Sequence, residues 1–300
     1  MNTGKELPLD QKLSRFIERI ASLRVAVIGE TIQDVFIEVA YEGHSMKSFC
    51  PVFRLIEGKE PNIQEGGTSA IAAHLRDFVK HVELISNTKG EIVKTRYVDT
   101  FDKKKHVEIN KFDKSGFGPL NIDTSDYDVV IVADFGHGFC DQLSITDGFH
   151  LMCQTNSNNF GFNRVSKWKQ QRKKSVVIDL REASLQMNRS LDGKSDHDLL
   201  DLYNYELNAE QVVVTLGSKG SAHVNGKHVN RFGAFKSEIV DTIGAGDTFF
   251  AFACLAIHLD GPEADLTIPS LAAALSTTWL CNEQSVNKTN LIPYAHQHLR

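Results

Sequence analysis

The chain has 300 residues, 41% hydrophobic and 24% charged, enough to bury the core of one large α/β domain or two small ones. Its net charge of −5 argues against a dedicated nucleic-acid binder, which needs a basic face to displace phosphate counterions. Five cysteines (Cys50, Cys140, Cys153, Cys254, Cys281) show no CxxC spacing, so they read as reduced, mostly buried thiols. The opening "MNTGKELPLDQK" has no apolar signal region, and the longest apolar run, 249–257, falls short of the roughly 18 residues of a membrane span. A cytoplasmic protein with no membrane and no nucleic-acid partner is expected.

In chain order, Leu9, Leu13, Phe16, Ile17 and Ile20 recur at helical spacing and predict an opening amphipathic helix. "RVAVIGE" (24–30) is a β-branched run ending in glycine and predicts a strand buried on both faces. "DVFIEVAYEG" and "PVFRLIEGKE" alternate like strands, and "GGTSAIAAHLRDFVKH" from Gly66 predicts a glycine turn followed by a helix. "HVELIS" (81–86) is a further strand, and residues 94–113 read as exposed, charge-rich β structure. "FDKKKH" (101–106) and "KWKQQRKK" (167–174) read as a solvated loop and a solvated helix face.

The second half alternates more regularly. "DVVIVADFGHG" (128–138), "KSVVIDLRE" (174–182) and "EQVVVTLGSKG" (210–220) are apolar strands finishing in polar or glycine-rich turns, and a last helix is predicted after residue 268. This rhythm predicts a single α/β domain over 1–300: a doubly wound, largely parallel sheet flanked by helices. The β-rich segments within 35–57 and 92–112 interrupt it and predict a small β lid. Ligands of such sheets bind at the carboxyl ends of the strands, where the Asp, Glu and Gly residues fall.

The chemistry concentrates in "IVDTIGAGDTFFAF" (239–252). Gly244, Ala245 and Gly246 precede a helical apolar run, and amides at a helix N-terminus are unpaired and favour an anion. Such a cluster suits a phosphoryl group in transfer, and Asp247 beside it is placed to take the proton of an attacking hydroxyl. The same residues also fit a plainer account, in which Asp247 complements the helix dipole and the glycines permit close packing.

"DTIGAGD" (241–247) resembles the D-T-x-G-A-G-D signature of the ribokinase-like (PfkB-type) carbohydrate kinases. "VAVIGETIQDVF", "EGGTSAIAAHL" and "VVVTLGSKGS" resemble other marks of that family, in order, over about residues 22–290. Within the family, "PVFRLIEGKEPNIQEGG", "KTRYVD", "VADFGHG" and "CQTNSNNFGFN" (153–163) are similar to the heptose-7-phosphate kinase branch, the kinase half of ADP-heptose synthase. The resemblance implies a ribokinase-like fold, ATP as phosphoryl donor, Mg²⁺ as cofactor, Asp247 as catalytic base, and Gly244, Ala245 and Gly246 as the anion hole. It implies Asp34, Gly66 and Gly67 at the sugar, and Thr215, Gly217, Gly220, Asp241 and Thr242 at the nucleotide. Asp134 is expected at sugar or metal. Asp179 and Glu182 are expected at the metal, with Asp179 standing where the family commonly has Asn, and Glu30 where an aspartate is usual.

Lys94 and Arg96 alternate on one strand and share a face, so they are candidates to hold a phosphate already on the substrate. Two partners are expected: a nucleotidyltransferase, and a second copy of the chain through the β lid. Two rival readings stand beside the sugar-phosphate kinase: a kinase for a neutral sugar or nucleoside, and a non-catalytic binding module serving a transferase. No G-x-x-x-x-G-K-[ST] loop occurs, and no G-x-G-x-x-G follows the first strand, which disfavours P-loop and dinucleotide-binding chemistry.

Overall fold

The computed structural model describes residues 7–87, 89–146, 148–155, 163–205 and 207–299. The first half runs α1 (Leu9–Ile20), β1 (Arg24–Gly29), β2 (Thr31–His44), β3 (Pro51–Leu55), β4 (Asn62–Gly67), α2 (Thr68–Leu75), β5 (His81–Ser86), β6 (Ile92–Asp99), β7 (Lys105–Phe112), β8 (Leu120–Ile122) and β9 (Val129–Asp134). The second half continues with β10 (Leu143–Ile145), β11 (Phe149–Cys153), β12 (Lys173–Asp179), α3 (Leu180–Gln186), α4 (Asp196–Asn204), β13 (Val212–Thr215), β14 (Ser221–Asn225), β15 (His228–Phe232), α5 (Ala245–Asp260), α6 (Thr267–Ser276) and α7 (Lys288–Gln297).

The main sheet has the order β15-β14-β13-β12-β11-β9-β1-β5. Its strands pair in parallel from β5 to β13 and antiparallel at β14 and β15. The order reverses at β1, so Gly29 and Asp134 end neighbouring strands at a switch point, where such sheets open a crevice. Two apolar clusters pack on the sheet's two faces, as doubly covered parallel strands require.

β2 begins two residues after β1 and leaves the main sheet to build a second one, ordered β3-β2-β6-β7 with β4 also on β2. This is the expected lid. Its inner face carries Asp34, Phe36, Lys94 and Arg96, all buried, which corrects the reading of this segment as exposed charged β structure. The glycine pair ends β4 rather than forming a turn. A side chain at Gly66 would collide with the Asp34 carboxylate, which explains why that position carries none.

The basic stretch 167–174 is not a solvated helix face. Lys167 pairs with Asp134 at 2.6 Å and Asp141 at 2.8 Å, and Lys173 is fully buried at the start of β12. The hairpin β13–β14, the short strands β8 and β10, and α7 with its internal Pro293 were not anticipated from periodicity. α5 is buried from Asp247 through Ile257, apolar on every side, and so runs through the core. Each large side chain so withdrawn from water contributes roughly 1.5–3 kcal/mol, which makes α5 a firm base for its first turn. Among the described residues no helix is long and apolar enough to cross a membrane.

Candidate active site

A cleft of about 400 Å³ opens between the carboxyl ends of the strands, the lid and the start of α5. Its walls include Asp34, Gly67, Lys94, Arg96, Asp179, Thr242, Gly244, Gly246 and Asp247. A larger depression of about 870 Å³ lies before β12 and β13, at the amino ends of those strands, where Arg172 pairs with Glu210 at 3.1 Å. It lies at the opposite end of these strands from their carboxyl ends, and the smaller cleft holds the reactive groups.

The floor is the first turn of α5. Gly244 caps the helix with φ +85°, and a side chain there would also press on Asn282 Oδ1 at 3.0 Å. The Ala245 amide already donates to the Thr242 carbonyl at 3.3 Å. Among the described residues, the amides of Gly244, Gly246 and Asp247 have no protein acceptor. The expected trio of Gly244, Ala245 and Gly246 is thus shifted, with Ala245 closing the turn and Asp247 adding its own amide. Asp247 is buried, and its Oδ1 has no hydrogen-bond partner. Burial, reinforced by the Asp34 charge and opposed by Lys94, pushes its carboxyl up to about 7.

The lid forms the opposite wall. Arg96 is ion-paired with Asp34 and, at 2.9 Å, with Glu108, which faces it across the β6–β7 ladder. Arg96 also lies over the Phe36 ring at 5.6 Å. Lys94 shares this buried face, but no hydrogen bond or ion pair engages it among the described residues. Burial lowers its pKa despite the pull of Asp34. Asp34 also receives a 3.4 Å contact from Asn282 Nδ2.

Other expected residues have different surroundings. Asp134 is wholly buried at the switch point and outside the cleft lining. Lys167, Trp168 Nε1 (2.8 Å), Asn163 (3.1 Å) and the Gly136 amide (3.0 Å) take up its oxygens. Its geometry is that of an anchor. Glu30 is equally buried and accepts the amides of Phe135, His137, Gly138 and Phe139, so it shapes the loop after β9 rather than meeting a ligand. Asp179 caps α3 through the Glu182 amide at 2.7 Å and keeps an exposed face on the cleft. Glu182 completes the capping box, its oxygens accepting the amides of Asp179 and Thr155, both at 2.8 Å. Its own burial and the Asp179 charge push its carboxyl upward.

Thr215, in register with Asp179, ends β13. Gly217 and Gly220 turn the chain into β14, outside the cleft lining. Asp241 binds Lys105 of the lid at 2.6 Å and the amides of Ile243 and Cys281 at 3.2 Å, while Thr242 is exposed on the cleft wall. The 101–106 loop is therefore not wholly solvated. Of the stretch "CQTNSNNFGFN", residues 156–162 lie outside the described residues.

Sequence reasoning missed Glu108, Asn282 and Lys105. Glu108 was findable from the hairpin register that sets it opposite Arg96. Asn282 falls inside the helix predicted over 269–284, which in fact stops at Ser276, so it read as part of a helix rather than of the cleft wall.

A doubly wound sheet with a β lid, closing over a helix N-terminus that presents a buried carboxylate and free amides, defines a ribokinase-like kinase fold. Solved structures agree. Ribokinase from Thermotoga maritima superposes with a TM-score of 0.64 at 17% identity, covering 91% of this chain and 99% of that one. Arabidopsis thaliana ribokinase complexed with ribose and ATP gives 0.61 at 14%, covering 91% and 99%. The nucleoside kinase of Methanocaldococcus jannaschii gives 0.62 at 13%, covering 93% and 99%. Residues 152–277, which include β12, β13 and the Gly244–Asp247 turn, match the family model "pfkB family carbohydrate kinase". No curated protein matches the chain. The family match spans less than half of the chain, and the solved structures show its ribokinase-like fold.

Proposed function

We propose that the chain, as one kinase domain over residues 1–300, transfers the γ-phosphoryl group of ATP to a hydroxyl of a sugar or sugar phosphate. The observation that carries this reading is the unpartnered, buried Asp247 Oδ1 beside the free amides of Gly244, Gly246 and Asp247. Asp247 takes the acceptor's hydroxyl proton. The new O–P bond forms as the bridge to the β-phosphate breaks, leaving ADP, while the amides hold the equatorial oxygens of the phosphoryl group. Asp34, fixed by Arg96, orients the acceptor, and Gly66 and Gly67 let it approach the backbone. The nucleotide lies toward Thr215, Gly217, Gly220 and Thr242, and Asp241 holds the turn in place through Lys105 and two amides.

The donor set at the far wall fits a hydrated Mg²⁺. Asp179 has one oxygen free of the helix cap and faces the cleft, whereas Glu182 stands behind it with both oxygens hydrogen-bonded. When bound there, the ion neutralises charge on the transferring phosphates.

Two finer readings divide on the acceptor. The motif resemblance favours a heptose-phosphate-like acceptor, with its phosphate on Lys94, which has no hydrogen bond or ion pair among the described residues. The pairing of Arg96 to Asp34 and Glu108 favours instead a neutral sugar or nucleoside, the acceptors named for the ribokinase and nucleoside-kinase neighbours. The proposal extends to a cytoplasmic enzyme that dimerises through the outer lid face, where Ile63 and Ile109 are more than half exposed, and that works with a nucleotidyltransferase.

The test is ADP release over a panel of neutral sugars, nucleosides and sugar phosphates, with and without Mg²⁺. Release that needs both an acceptor and the metal is expected. Release undiminished in excess chelator removes the metal assignment, and nucleotide binding without turnover on any acceptor favours the non-catalytic module.

A further inference from the structure

His74 stands on α2, just downstream of the Gly66–Gly67 pair, and is buried outside the cleft lining. Its Nδ1 accepts the Val286 amide at 2.9 Å, and its Nε2 lies 3.0 Å from Thr248 Oγ1. Thr248 Oγ1 is in turn 3.0 Å from the Gly244 carbonyl, which also accepts the Thr248 amide at 2.9 Å.

The direction of every bond in this chain is forced. The Val286 amide can only donate, so Nδ1 carries no proton and the neutral ring carries it on Nε2. Nε2–H then donates to Thr248, whose single hydroxyl proton is left for the Gly244 carbonyl. Burial keeps the imidazole neutral by holding its pKa down to about 4. Flipping the peptide after Gly244, a residue in the left-handed region, would break both bonds to that carbonyl.

We propose that His74 is a positioning residue that fixes the amides of the Gly244–Asp247 turn through Thr248. Through Val286 it also braces the segment carrying Asn282, which touches both Asp34 and the space beside Gly244. Its kinetic consequence rests on the phosphotransfer reading above, whereas the pinning of the turn does not.

The experiment compares wild type, His74→Asn, His74→Gln, Thr248→Val and the His74→Asn/Thr248→Val double variant in two ways. First, ¹⁵N–¹H spectra follow Gly244, Ala245 and Gly246, and amide exchange follows Ala245, in the full chain without ligand. Asn retains an acceptor for Val286 but does not reach Thr248, whereas Gln places an amide donor near the Nε2 position. Shifted Gly244 and Gly246 signals and a faster-exchanging Ala245 amide, whose N–H shares the pinned peptide and donates to Thr242, are expected in His74→Asn and Thr248→Val, with near wild-type behaviour in His74→Gln.

Second, kcat is expected to fall roughly 10- to 100-fold in His74→Asn, below the 10²–10³ typical of deleting a whole oxyanion donor, with KM for ATP within about twofold. His74→Gln should recover most of it, and the double variant should be no worse than the worse single, because both changes break one chain. Unchanged Gly244–Gly246 amide signals together with unchanged Ala245 exchange in His74→Asn, or kinetic losses that multiply in the double variant, overturn the proposal. A wild type without turnover on any acceptor sinks the kinase reading alone, and the amide measurements then decide the pinning by themselves.

Discussion

Asp34 and Asp247 face the same cleft from opposite walls, and their surroundings differ in kind. Asp34 is held by a guanidinium, an amide side chain and a lid strand, so its charge is matched within the fold. Asp247 has one oxygen with no partner, a row of unpaired amides beside it, and the unengaged Lys94 across from it. A matched carboxylate orients; an unmatched one is left able to exchange a proton. The cost of leaving Asp247 unmatched is an unfavourable buried charge, which raises its proton affinity toward neutrality.

The sharpest way to break this comparison is Asp247→Asn. The amide is nearly the same shape but a far weaker base, so kcat should fall by about 10²-fold or more while ATP affinity stays nearly constant. A variant keeping more than about a tenth of wild-type kcat would mean that Asp247 is not the base.

The two lid cations should separate next. Arg96→Ala leaves Asp34 buried and unpaired, a kind of change that typically destabilises by about 3–5 kcal/mol. Lys94→Met breaks no protein ion pair, so denaturation should move little. If the acceptor carries a phosphate, KM for it should rise about tenfold, the equivalent of about 1.4 kcal/mol, with KM for ATP unchanged. Equal stability losses in the two variants would erase the distinction between a matched and an unmatched wall.

How much of this was legible beforehand follows from what each residue depends on. Asp247 and its glycines were readable because a helix N-terminus is a local object, and the chain switches from glycines to apolar residues at that point. Lys94 and Arg96 were readable as candidates through strand parity, which placed both cations on one face, whereas Asp34 was readable only through the motif resemblance. That the face is buried, and that Arg96 is already engaged, depends on a lid folding back over the cleft, which no local pattern encodes. Asp134 looked like a ligand because it ends a strand, and Glu182 because it fills the acidic position of the N-x-x-E pattern that "DLRE" resembles. Three-dimensional neighbours such as Lys167, Trp168 and the Thr155 amide turn them inward as anchors. His74 gave no signal at all, since a histidine in an apolar helix reads as core.

The unmatched carboxylate also predicts a pH profile. Asp247 must be ionised to accept a proton, so kcat/KM should rise through an acid limb near pH 7 and level off above it. Lys94 pulls that value down, so Lys94→Met should move the limb to higher pH. A limb near the ordinary carboxylate range, or one that Lys94→Met leaves in place, would contradict the assigned environment.

The smallest expected effect is thermodynamic and has the opposite sign to the loss of activity. The Asp247 carboxyl is held at about 7 in the folded chain, against 3.8 for the ordinary group. Between those values the folded state binds a proton that the unfolded state has released. Stability therefore falls as pH rises through that window, and the full penalty applies above it. Asparagine carries no such penalty, so Asp247→Asn should melt higher than wild type, by roughly 2–4 °C for each kcal/mol recovered. The gain should be larger at pH 8 than at pH 5, where much of the wild-type carboxyl is still protonated in the fold. Scanning both proteins at the two pH values checks it; Glu30, present in both, cancels from the difference, and the Asp247 charge also pushes the Glu182 carboxyl up, so its removal acts in the same direction. An Asp247→Asn variant that melts lower than wild type at pH 8, or by the same margin at both pH values, would place the buried charge somewhere other than on the wall that the cleft leaves unpaired.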